Sequence, residues 1–319
     1  MNLLFVVKYG VNGTEASFVH ANMPNPLYTS INEVRFNGLL RFGRCALSNN
    51  TLTTTSSSSK EDEIRILIAV LTLPDQYLRR HFLRLIYGSQ NPEFAKVDVK
   101  FVFCNLTKDD QKVLVALEIM RYDDIIILNC TENMNKGKTS TFFSTLPVIF
   151  NETNGNSNTN NAPYPPYHYV MKADDDTFVR LNSLVESLKP LPREDLYYGF
   201  VIPCGSMDPF KHYMSGMGFV VSWDIVEWIH GSDIPKKHVE GPEDKVFGDW
   251  MRWGRRGQNR FNAKWSMYNY PDPPSVCSHE LVSNTIAVHL LKNQEKWIHT
   301  LNFFNFTRHL KPSKMYHIS

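Results

Sequence analysis

The sequence contains no apolar run of membrane length. Leu3–Val7 near the start and Ile64–Leu71 further on are its most apolar stretches, and both fall far short of the roughly 20 residues that a spanning helix needs. Leu3–Val7 also lacks a basic leading region. No membrane anchor is therefore visible. Either the protein is soluble, or the start of a longer chain is missing. Charge of one sign is also lacking: 34 Lys and Arg face 32 Asp and Glu, a net charge of +2. That balance argues against nucleic acid, or an anionic membrane, as the main partner. No Cys-x-x-Cys pair occurs among Cys45, Cys104, Cys130, Cys204 and Cys277, which argues against a zinc site. The odd number leaves at least one thiol unpaired within the chain. Buried free thiols and one or two disulfides in a secretory lumen both remain open. No internal repeat is present.

The apolar fraction of 42% is that of an ordinary globular protein with a sizeable core. Asn-x-Ser/Thr sequons begin at Asn12, Asn49, Asn105, Asn129, Asn151 and Asn305, and they permit a lumenal location. Asn129 ends an apolar run and is expected to be buried. Two stretches are polar and of low complexity. Thr51–Glu63 reads as a linker or stem, and Asn151–Ala162 as a mobile surface loop. The expected organisation is a poorly structured segment over 1–63, a catalytic domain over 64–312 and a tail over 313–319.

Within the domain, strand-like and helix-like runs alternate. Ile64–Leu71, Val97–Phe103, Ile125–Leu128 and Tyr167–Ala173 read as strands. Asp109–Met120 reads as a helix, with Val113, Leu114, Leu117 and Met120 at helical spacing and Asp109 and Asp110 at its start. Lys138–Phe150 reads as another. Alternation of this kind predicts an α/β fold with a mainly parallel central sheet flanked by helices. In the second half, Leu196–Phe200 and Met214–Val221 are shorter strand candidates. Ser222 suits the cap of a helix over Trp223–His230, and Pro242 the first turn of a helix over Glu243–Gly254.

The segment that carries chemistry is His168–Arg180, HYVMKADDDTFVR. Asp174, Asp175 and Asp176 follow directly on a strand, and open α/β sheets bind ligands at the carboxyl ends of their strands. Three adjacent carboxylates repel one another, and a hard divalent cation relieves that repulsion. A solvated acidic turn is the alternative that this segment leaves open by itself.

Lys172–Arg180 (KADDDTFVR) resembles the Asp-Asp-Asp block of the β-1,3-galactosyltransferase family. Five further segments resemble the family's blocks in the same order: Leu78–Gly88 (LRRHFLRLIYG), Glu118–Asp124, Asn135–Thr139 (NKGKT), Tyr213–Asp224 (YMSGMGFVVSWD) and Gly241–Gly248 (GPEDKVFG). The resemblance covers roughly Ile64 to Ile298. Departures occur where the family has Thr-Trp and this chain has Ile86-Tyr87, at Lys136-Gly137, and in the last block, where Lys245 separates Asp244 from Val246. The wording of Leu71–Gly88 is similar to a divergent, plant-type branch.

The resemblance implies a GT-A-like fold and an inverting transfer of a hexose, galactose above all. The donor would be a UDP-sugar, the acceptor a glycan or glycoprotein hydroxyl, and the product a β-1,3 linkage. Mn²⁺ or Mg²⁺ would be the cofactor and the Golgi lumen the location. Asp176, Asp174 and His289 (in TIAVH) are the implied metal ligands, with Asp176 the direct one and Asp174 toward the ribose or a metal-bound water. Asp244 is the implied general base, with Glu243 as the neighbour that could exchange with it or face the acceptor. Arg84, Lys172 and Asp175 are candidates for the nucleotide-sugar, although Arg84 and Lys172 equally suit ion pairs with acidic residues, and Asp175 a structural role. Gly216 and Gly218 would let backbone approach the acceptor sugar. Trp223, Trp228, Trp250, Trp253 and Trp265 are candidates for stacking on it. Two other classes compete: a catalytically inactive relative that binds glycans or a partner, and a metal-dependent phosphohydrolase. The second would require further acidic ligands at other strand ends, where only Asp75 and Asp98 are near.

Overall fold

A computed structural model describes residues 63–153 and 165–308. Glu63 apart, the expected stem lies outside the described residues, as do most of the expected surface loop and the tail. β1 (Ile64–Leu71) has aliphatic side chains pointing both ways, which only a strand covered on two faces tolerates. It lies in the interior of a seven-stranded sheet. β2 (Ala95–Phe103) pairs with it on one side and β4 (Tyr169–Asp174) on the other, both parallel. β3 (Ile125–Ile127) continues the sheet parallel to β2. Beyond β4 come β7 (Tyr213–Ser222) and β6 (Leu196–Ile202), each antiparallel to its predecessor, and then β8 (Asn259–Asn262), parallel to β6. The sheet is thus mainly parallel, as expected.

The alternation of side chains along β1 divides the core in two. Ile66, Ile68 and Val70 pack with Leu83 and Ile86 of α1 (Tyr77–Gly88), Leu184 of α4 (Leu181–Leu188) and Trp297 of α8 (Gln294–Phe303). Leu67, Ala69 and Leu71 pack in the opposite layer with Phe142 and Phe143 of α3 (Lys138–Thr153), Ile225 of α5 (Trp223–Gly231) and Phe247 of α7 (Glu243–Trp253). A second sheet of three strands joins β5 (Phe178–Val179), β10 (Ala287–His289) and β9 (Met267–Asn269). Its importance lies in where β10 ends, beside the end of β4.

Several local expectations need correction. α2 (Asp109–Tyr122) forms where its spacing predicts, but the four apolar residues that mark that spacing face outward. Met120 is 83% exposed and Val113 62%, while Gln111 and Val115 face inward. Gln111 is drawn in by polar partners: its amide donates to Asp75 and its carbonyl oxygen accepts from the backbone of Thr107 and Lys108. Ser222 precedes α5 but makes no side-chain cap bond, because its hydroxyl accepts from the Leu196 N–H across the sheet. Asn129 is exposed rather than buried, and its side chain accepts a hydrogen bond from Asn105. Four of the cysteines are paired, Cys104 with Cys130 and Cys204 with Cys277. Cys45 lies outside the described residues.

His168, just before β4, has a structural role. Its Nδ1 accepts the Arg65 N–H at 3.0 Å. Burial, reinforced by the charges of Arg193 and Arg65, pulls its pKa down to about 4. The folded value then lies below the unfolded one of about 6.5, so the unfolded chain takes up the proton first. Stability is therefore expected to fall as pH drops from about 6.5 towards 4. Thermal unfolding across that range should show a shallower decline in His168→Gln than in the wild type. Equal slopes would remove His168 as the cause.

Candidate metal and transfer site

The carboxyl end of β4 places Asp174 as the last residue of the strand, with Asp175 and Asp176 in the turn that follows. The turn is pinned through its backbone. The Asp174 carbonyl accepts from Thr177 N–H, the Asp176 carbonyl accepts from Leu291 N–H, and the Tyr87 hydroxyl donates to the Thr177 carbonyl. Tyr87 stands where the family blocks carry Trp, so the substitution supplies a bond to the turn itself.

Asp174, Asp176 and His289 each offer one ligand atom, and these atoms lie within 4.8 Å of one another. His289 Nε2 is 3.3 Å from Asp176 Oδ1 and 3.6 Å from Asp174 Oδ2. Its Nδ1 lies 2.9 Å from the side-chain oxygen of Asn269, the neighbouring residue on β9, which fixes the ring with Nε2 toward the carboxylates. Burial pushes Asp174 upward in pKa, but Lys172 and His289 outweigh it and hold the carboxyl below its ordinary value. Burial likewise pushes Asp176 upward, but His289 and Lys292 outweigh it and hold this carboxyl well below its ordinary value. Both carboxylates are thus ionised at neutral pH. Asp176 Oδ2 is buried and accepts no hydrogen bond in good geometry, although the Lys292 ammonium stands 2.5 Å away as an ion pair. Two carboxylate oxygens, one imidazole nitrogen and an under-satisfied buried lone pair make a donor set that fits a divalent cation such as Mn²⁺ or Mg²⁺.

The other candidates are placed as follows. Lys172 is fully buried on β4 and donates to Asp174 Oδ1 at 2.7 Å, Glu243 Oε1 at 2.7 Å and the Gly216 carbonyl at 2.5 Å. It is a fixed counter-ion, its three hydrogen bonds all made to the protein itself. Glu243 is correspondingly turned inward: its side chain is 11% exposed, and Thr139 also donates to it. Gly216 is required by this clamp, since a Cβ there would stand 2.5 Å from Glu243 Oε1. At Gly218 a Cβ would meet Met171 Cε at 2.7 Å. Both glycines therefore accommodate side chains of the protein itself. Asp244 lies beside them in the first turn of α7, with one oxygen accepting from Gly216 N–H at 3.2 Å and the other from Lys245 N–H.

Asp175 turns away from the cluster and accepts from the Thr72 hydroxyl at 2.6 Å. Arg84 is not brought to the cluster either. It pairs with Glu118 and Asp124 and lies over the rings of Phe101 and Tyr122. Of the tryptophans considered for stacking, Trp223 and Trp250 are buried, Trp228 is half-buried, and Trp253 and Trp265 are exposed. Three contributors escaped the sequence reading: Thr72, Asn269 and Lys292. None has a local signal, because each owes its role to a neighbour brought in by folding.

The Galactosyltransferase family profile matches residues 78–207, a span that includes the Asp174–Asp176 turn. Beta-1,3-galactosyltransferase 6 of Mus musculus is 22% identical over 236 residues, 67% of this chain and 68% of its own. Beta-1,3-galactosyltransferase pvg3 of Schizosaccharomyces pombe is 28% identical over 263 residues, with the same shares, 67% and 68%. Among solved structures, a glycosyltransferase involved in the glycosylation of the major capsid of PBCV-1 aligns over 74% of this chain and 98% of its own, with 13% identity and a TM-score of 0.37. The family match and the curated relatives agree with the ordered sequence blocks: over residues 78–207 the chain is similar to the galactosyltransferase family, and it is a glycosyltransferase.

Proposed function

We propose that the protein transfers galactose from a UDP-sugar to a hydroxyl of a glycan or glycoprotein, with inversion, forming a β-1,3 linkage. The observation that carries this reading is the convergence of Asp174, Asp176 and His289 at the carboxyl end of β4. A divalent cation held there would neutralise charge on the leaving diphosphate. Lys172 keeps Asp174 ionised and aimed. The galactose donor and the β-1,3 linkage come from the names of the two curated relatives.

An inverting displacement also needs a base beside the acceptor hydroxyl. Asp244 suits that role better than Glu243. Two backbone N–H groups align its carboxylate, and an ionised carboxylate retains further lone pairs for an incoming hydroxyl. Glu243 is engaged by Lys172. The competing phosphohydrolase reading loses its extra ligands: Asp75 is bound by Lys108 and Gln111, and Asp98 by Tyr167. We place the enzyme in the Golgi lumen, with 64–312 as its catalytic domain. Two disulfides agree with an oxidising compartment. Among the described residues no helix is long and apolar enough to cross a membrane.

The test is a panel of UDP-sugars incubated with purified protein, acceptor and Mn²⁺, with mass-spectrometric detection of free UDP. Release should be greatest with UDP-galactose and should vanish with chelator. Release from no donor would overturn the proposal in favour of an inactive, glycan-binding relative.

A further inference from the structure

The strand that delivers His289 also delivers a lysine. After β10 the chain turns sharply, with Leu290 at φ +65°, a left-handed conformation that a bulky residue adopts only when its surroundings impose it. The imposing contact is the Leu291 N–H, which donates to the Asp176 carbonyl at 3.0 Å. One residue later, the Lys292 ammonium reaches Asp176 Oδ2 at 2.5 Å. The two partners differ sharply in freedom. The Asp176 side chain is 5% exposed and that of Lys292 69%. Lys292 also borders an open groove of about 700 Å³ between α1 and α8, across from Arg79. Arg79 donates to the Leu291 and Lys292 carbonyls and so holds the backbone of the turn, not the lysine's side chain. Lys172, by contrast, is buried among its partners and has nowhere to go.

A long, exposed ammonium on a fixed backbone can exchange partners with little rearrangement. Its present partner is a carboxylate that a divalent cation would also engage. Two cations competing for one carboxylate repel each other. We infer that Lys292 is an exchangeable cation, pairing with Asp176 in the metal-free protein and turning to the donor's diphosphate once the metal position is filled. The second half of this inference rests on the nucleotide-sugar reading given above; the first half does not.

The two halves predict effects of opposite sign. In a Mn²⁺ titration without nucleotide, followed by the spin-resonance signal of the free ion, Lys292→Met should bind Mn²⁺ about 2–5-fold tighter than wild type, the range set by the loss of one exposed ion pair. In calorimetric titration with UDP at saturating Mn²⁺, the same variant should bind about tenfold weaker, as expected for a lost charge-assisted hydrogen bond. Lys292→Arg should stay near wild type in both. Unchanged melting of the metal-free variants establishes that they fold. Equal Mn²⁺ affinity in Lys292→Met, or weakening of both ligands together, would overturn the inference. Wild-type protein that binds Mn²⁺ but no UDP would instead overturn the nucleotide reading, and the second half with it, while the Mn²⁺ arm still decides the first.

Discussion

Asp176→Ala is expected to lower turnover at least about a hundredfold, the scale seen when one preorganised charge-stabilising group is removed from a site. The fold should survive, because the contact that pins the turn is made by the Asp176 backbone carbonyl, which the substitution leaves in place. The informative control is Asp175→Asn. That side chain accepts from Thr72 and points away from the ligand cluster, so its loss should cost much less activity. Free UDP released per enzyme, measured alongside a Mn²⁺ titration, separates the cases. Asp176→Ala should lose metal binding and turnover together, whereas Asp175→Asn should keep most of both. Intact turnover in Asp176→Ala would dispose of the proposed site.

Lys172→Met should have the largest effect on stability. Lys172 is buried between Asp174 and Glu243, and its removal would leave both carboxylates without their counter-ion. Breaking a buried pair by deleting one partner typically costs about 3–5 kcal/mol, a fall in Tm of roughly 10 °C for a domain of this size. Two further measurements identify the cause. Glu243→Gln in the Lys172→Met background should recover part of the loss, since it removes one of the stranded charges. Saturating Mn²⁺ should stabilise Lys172→Met by more than it stabilises wild type, because the cation then offsets a charge on Asp174 that Lys172 no longer balances. A Tm within about 2–3 °C of wild type, equivalent to roughly 1 kcal/mol, would mean that Lys172 is not the clamp described here.

The layered core was legible because apolar periodicity reports burial directly. β1 is aliphatic at every position but Arg65, and only a doubly covered strand needs that. The Asp174–Asp176 turn was legible for a related reason: a buried-type strand running into three acids is an unusual juxtaposition. Periodicity failed on α2, where the aliphatic residues face outward and Gln111 is drawn inward by Asp75 and by backbone N–H groups. A hydrophobic pattern carries no information about such polar partners. The resemblance named Gly216 and Gly218 but not what fills the space above them, because Glu243 and Met171 arrive from elsewhere in the fold. Asn269 and Lys292 were invisible for the same reason. Each acts on a group that sequence distance conceals and β10 brings close.

That dependence on β10 has a consequence for biogenesis. The seven-stranded sheet is complete once β8 has been made, whereas His289 arrives afterwards on a small separate sheet. Until β10 is made, the chain therefore holds only the carboxylate part of the cluster. Contacts between such distant segments form late, since a long loop must close before they contribute. Cation affinity would then rise only in the final stage of maturation, so that metal uptake discriminates finished molecules from those that merely look folded.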